Sequence, residues 1–113
     1  MKFDLNNKRF ILFSGSKNGE ANPDTIFNYH HEKDLVWADY SGGDILKGFL
    51  IGTTCDDISF KFTYQHVNTS MKIMTGICES IPYLDVSGRI MLSEKWEWTC
   101  KDFSRGKSKL IEI

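Results

Sequence analysis

Between Ile58 and His66 the chain alternates without a break. Ile58, Phe60, Phe62, Tyr64 and His66 fall on one side, and Ser59, Lys61, Thr63 and Gln65 on the other. Arg89 to Thr99 repeats the pattern, setting Ile90, Leu92, Glu94, Trp96 and Trp98 against Arg89, Met91, Ser93, Lys95 and Glu97. Successive side chains of a strand point to opposite faces, so a period of two predicts half-buried strands. A slip of one residue would expose the whole apolar set. No segment carries the 3.6-residue apolar stripe that a helix needs.

The rest of the chain divides the same way. Runs at Arg9 to Phe13, Thr25 to His31, Leu35 to Tyr40, Ile45 to Thr53, Met71 to Ser80 and Lys107 to Ile113 are separated by short turn-forming clusters. Among these clusters are Ser14-Gly15-Ser16-Lys17-Asn18-Gly19 and Ser41-Gly42-Gly43-Asp44. A looser piece holding Pro82 precedes the Arg89 strand. With 113 residues there is room for one domain, spanning residues 1–113. About eight strands joined by hairpin-length loops predict an all-β fold: a single antiparallel up-and-down barrel, whose closure removes exposed edges. In Leu35 to Tyr40, Val36, Ala38 and Tyr40 share one face, with Leu35, Trp37 and Asp39 on the other. Gly48 and Gly52 share a face with Leu46 and Leu50, and Gly76 lies mid-strand; glycines so placed predict bends at barrel corners.

Glu94 does not fit a plain hydrophobic core. It shares a face with Leu92 and Trp96, where an unpaired carboxylate is costly unless hydrogen-bonded or protonated. Tyr64 and His66 face inward near one end of their strand, and Tyr29 and His31 share a face of theirs. Together with Tyr40, Trp96 and Trp98, these residues form a candidate cavity lining, since ligand pockets are mostly apolar with a few placed polar groups. Two other readings stay open: a structural network in which Glu94 bonds a tyrosine hydroxyl or His66, and a bulge that turns it outward.

Charge and motifs narrow the functional classes. A net charge of -1 gives no positive field to gather nucleic acid or anionic lipid. The longest apolar runs, Phe10 to Phe13 and Phe49 to Ile51, are far short of a membrane span or a leader peptide, so neither membrane nor nucleic acid is an expected partner and the expected location is cytoplasmic. Cys55, Cys78 and Cys100 lack paired spacing and read as reduced thiols; no metal site and no cofactor are expected. Ser41-Gly42-Gly43-Asp44 lacks the phosphate-loop spacing, and no Gly-x-Ser-x-Gly elbow occurs. Nor is there a Gln/Arg-x-x-Gly-x-Gly/Ala loop at a helix start to grip the pyrophosphate of acetyl-coenzyme A.

Several blocks together resemble a known group. They are Trp37-Ala38-Asp39-Tyr40-Ser41-Gly42-Gly43, Lys47-Gly48-Phe49-Leu50-Ile51-Gly52, Tyr64-Gln65-His66, Thr75-Gly76-Ile77-Cys78, Gly88-Arg89-Ile90 and Glu94-Lys95-Trp96-Glu97-Trp98-Thr99. From about Phe10 to Gly106 the chain is similar to a family of small bacterial proteins often labelled N-acetylglutamate synthase. That resemblance implies an acetyltransferase, and it transfers no catalytic residues. The residues themselves favour a calycin-like barrel that binds a small molecule in its interior. The alternatives are an enzyme, by acetyl transfer or by acid–base chemistry of Glu94 with His66, and a structural or partner-binding domain without ligand. Oligomeric state is left open.

Overall fold

In the computed structural model, which describes residues 1–113, eight antiparallel strands follow one another around a closed barrel. They are β1 (Lys8–Gly15), β2 (Ile26–Glu32), β3 (Leu35–Gly42), β4 (Ile45–Thr54), β5 (Phe60–Asn68), β6 (Ile73–Leu84), β7 (Ile90–Trp98) and β8 (Arg105–Glu112). Each strand pairs with its neighbours in sequence, and β1 closes the ring on β8 through Phe10↔Glu112 to Gly15↔Ser108. The meander expected from the turn signals is therefore the observed topology, and closure leaves no strand without two partners.

Inward faces follow the alternation over most of the barrel. Val36, Ala38 and Tyr40 of β3, Phe60, Phe62 and His66 of β5, and Ile90, Leu92, Glu94 and Trp98 of β7 are all buried. Local features depart from the expected pattern. At the start of β5 the Asp56 carboxylate accepts from the Ile58 and Ser59 amides and from the Ser59 hydroxyl, and this turn exposes Ile58 and buries Ser59. A register shift between Ile45 and Lys47 turns Leu46 out to solvent, away from the face of Leu50. Met91, on the outward side of β7 between Tyr83 and Ile111, is buried as well. Finally, the looser piece around Pro82 is strand: β6 runs on to Leu84, paired only with β7 beyond Ser80. Proline has no N–H to give, and such a one-sided edge tolerates it.

The mid-strand glycines mark close approach rather than bends. A Cβ on Gly48 would run into the Tyr40 ring, and one on Gly76 into the Tyr64 ring, so each aromatic lies flat over a neighbouring strand.

The two ends of the barrel close differently. At the end holding the β2–β3 and β4–β5 turns, the N-terminal segment folds underneath: Leu5 is fully buried, and Met1 and Phe3 pack against the core. At the other end the β1–β2 connection, residues 16–25, lies across the mouth.

Candidate functional site

Strand register gathers polar residues along one inner row. Glu94 sits opposite Ser80 of β6 and opposite Ser108 of β8. Trp96 lies between Cys78 and Gly106 in the next row toward the mouth, and Trp98 opposite Gly76 in the row beyond. Small residues on the flanking strands leave room for the two indoles. The result is a cavity of about 80 Å³, lined among others by Tyr40, Tyr64, His66, Glu94, Trp96 and Trp98. Trp98 is the hub of its aromatic wall, with ring centroids 5.5 Å from Trp96, 5.8 Å from Tyr64 and 5.9 Å from His66.

Glu94 is 7% exposed and nearly without partners. Its Oε1 accepts a long bond from Ser108 Oγ at 3.5 Å, and its Oε2 has no hydrogen-bond partner. Burial pushes its carboxyl up to about 8, and the Ser80 and Ser108 hydroxyls temper that rise only slightly because neither makes a short bond. At neutral pH most of the population is therefore protonated. Ser80 Oγ and Tyr29 Oη are also buried and unpaired. Neither a bulge nor a bond to tyrosine or His66 accounts for Glu94: β7 is regular there.

At the mouth, a relay ties the strap to the wall. His66 Nε2 lies 2.7 Å from Glu20 Oε1, and Nδ1 lies 2.9 Å from the Tyr40 hydroxyl. A carboxylate only accepts, so Nε2 carries the proton; in the neutral imidazole Nδ1 then accepts from Tyr40. Burial holds the Tyr40 hydroxyl well above its ordinary range, which keeps that donor in place. The second oxygen of Glu20 accepts from Asn68 Nδ2 at 2.9 Å. Further along the strap the Asn18 carbonyl accepts from the Trp98 indole N–H at 3.0 Å.

Of the eight residues singled out in the sequence, Tyr40, Tyr64, His66, Glu94, Trp96 and Trp98 meet at this cavity. Tyr29 and His31 do not line it. Tyr29 faces inward outside the cavity lining, edge-on to Phe10 and Phe60. His31 belongs to the opposite end: its Nδ1 accepts the Leu5 amide at 3.1 Å and its Nε2 bonds the Lys33 carbonyl at 2.9 Å. Its work is to hold the N-terminal segment. Alternation places both on the inner side of β2 and says nothing about height along the barrel axis. Glu20, Asn18, Ser80 and Ser108 were not foreseen. Ser80 and Ser108 are visible only once register sets them beside Glu94, and Glu20 sits in a turn-rich stretch with no period to read.

Comparison with known families agrees with this closed barrel. A family described as avidin-like protein matches residues 3–113. The chain belongs to that family. The avidin-like match accounts for the calycin-type barrel over nearly the whole chain. No curated protein and no solved structure matches it.

Proposed function

We propose that this avidin-like chain is a binding module that holds one small molecule inside the mouth-end half of its barrel. A single observation carries the reading: the interior there is not filled, and the space borders a buried carboxylate whose Oε2 has no partner. Protein cores are packed to the density of organic crystals and satisfy their buried polar groups, so an aromatic hollow beside an unpaired acid marks a recognition site. Avidin-like barrels typically bind small molecules such as biotin, which supports the class of ligand without naming this one. The acetyl transfer implied by the synthase resemblance finds no support in the family match. Nor does acid–base work by Glu94 with His66 gain from the geometry, because both ring nitrogens of His66 are engaged by Glu20 and Tyr40.

Native mass spectrometry of the purified chain, mixed with a metabolite extract or with biotin, tests the reading. A retained mass that disappears in Ser108→Leu, which places an apolar side chain beside Glu94, is the expected result. Bare protein under every condition refutes it.

A further inference from the structure

Resting on the reading that the cavity holds a small molecule, we infer that its ligand is a small organic amine bound as an ammonium ion. The nitrogen lies against Glu94, and the carbon skeleton lies among Trp96, Trp98 and Tyr64. Three independent features lead there. The first is charge: the acidic side chains of the lining are Glu94 and Glu20, and it contains no lysine or arginine. Its one basic side chain, His66, is already held between Glu20 and Tyr40.

The second feature is the orphaned oxygen. No lysine, arginine or histidine forms an ion pair with Glu94, and Oε2 is buried with nothing to accept from. A buried carboxylate gains most from a counter-ion that arrives with its own donors, and an ammonium group supplies three. The third is the wall. Indole and phenol faces attract cations through their quadrupoles, and the Trp98 ring stands 5.5 Å from Trp96 and 5.8 Å from Tyr64 around the cavity. A neutral ligand would leave that attraction unused, and an anion would find no basic side chain in the lining except His66, which Glu20 and Tyr40 already hold.

Proton balance gives the inference a signature. The groups that face Glu94 are Tyr29 of β2, Tyr40 of β3, Tyr64 of β5, Cys78 and Ser80 of β6 and Ser108 of β8, with Glu20 and His66 at the mouth. Burial pushes the three tyrosines and the thiol upward, so they stay neutral around pH 7 while Glu94 titrates. An ammonium ion pairs with the ionised acid. Each binding event therefore sends the Glu94 proton to solvent, and charge balances. Affinity should rise about tenfold per pH unit on the acid side of the Glu94 titration and level off above it. A neutral ligand that accepts from the protonated acid would show the opposite trend.

Isothermal titration calorimetry on the full chain, with benzylammonium, benzyl alcohol and benzoate, holds the skeleton fixed while the charge changes. Benzylammonium should bind at least tenfold more tightly than the other two at pH 7. It should gain about tenfold from pH 6 to 7, and release protons when buffers of different ionisation heat are compared. Glu94→Gln should bring benzylammonium to within about twofold of the alcohol; if that variant does not fold, proton release by the unmodified chain decides alone. Equal or tighter binding of benzyl alcohol or benzoate overturns the amine and leaves the pocket standing. Absence of benzylammonium binding at every pH also overturns it. The metabolite screen then tells whether the pocket reading falls too, since bare protein in both assays ends it.

Discussion

Replacing Glu94 by glutamine should make two stability curves cross. In the folded chain burial raises the Glu94 carboxyl from 4.5 to about 8, so the native state keeps a proton that the unfolded chain loses between those pH values. The native advantage is complete below about pH 4.5, declines as pH rises toward 8, and stays flat above. At about 1.4 kcal/mol per pH unit, the whole decline is on the order of 5 kcal/mol. Glutamine has nearly the same shape and no titration, but brings two N–H donors into a site whose nearby hydroxyls, on Ser80 and Ser108, make no short bond to this side chain. An unsatisfied buried donor costs about 1–3 kcal/mol. At pH 5, where about 0.7 kcal/mol of that decline has already occurred, Glu94→Gln should still be the less stable protein, by up to about 2 kcal/mol. At pH 8 it should be the more stable one by roughly 2–4 kcal/mol, the difference of the two effects. Urea denaturation of both proteins at pH 5, 6, 7 and 8 reads this directly, and His30, His31 and His66 cancel because both chains carry them. Parallel curves would refute the reasoning, since they would mean that Glu94 ionises as freely in the barrel as in water.

Two further substitutions probe the frame around the site. Gly76→Ala drives a methyl into the Tyr64 ring and toward the Glu97 carbonyl 2.7 Å away; it should destabilise the chain by about 1–3 kcal/mol, with part of the loss recovered in a Gly76→Ala, Tyr64→Ala double variant measured by thermal melting. His31→Phe removes the acceptor for the Leu5 amide. It should cost about 1–3 kcal/mol and speed amide exchange at Leu5, while the cavity rings keep their signals.

The strands were legible because every one of them buries one face, and burial on one face writes a period of two into the sequence. The exceptions fall where a single side chain or bulge competes with that period: the Asp56 turn before Phe60 and the register shift that frees Leu46. The site was legible only in part, and for a different reason. Alternation tells which way a side chain points and leaves open how high it stands. Height depends on the stagger between neighbouring strands, which is a property of pairs. That is why Tyr29 and His31 share the inner face with Tyr40 and His66 yet stand away from the cavity.

The strap across the mouth carries the least periodic information of all, and it is also the weaker of the two closures. The N-terminal segment is anchored by Leu5, fully buried, with Met1 and Phe3 packed on the core, whereas of the strap's apolar side chains only Ala21 packs there. The strap is held mainly by polar contacts: Ser16 to Lys107, Asn18 to Arg105 and Trp98, and Glu20 to His66 and Asn68. Segments with little apolar anchoring open first, so traffic into the cavity should pass beneath this loop. Glu20→Ala removes the latch and leaves two buried donors, on His66 and Asn68, without acceptors. Each orphan costs about 1–3 kcal/mol while the strap stays shut, and lifting it lets water satisfy both. The substitution should therefore speed exchange of the Trp98 indole N–H and the Gly19 amide at least tenfold, and leave amides in the middle of β4, β5 and β6 unchanged. Uniform acceleration through the barrel would instead make Glu20 part of the global core, and the mouth would then be no easier to open than the plugged end.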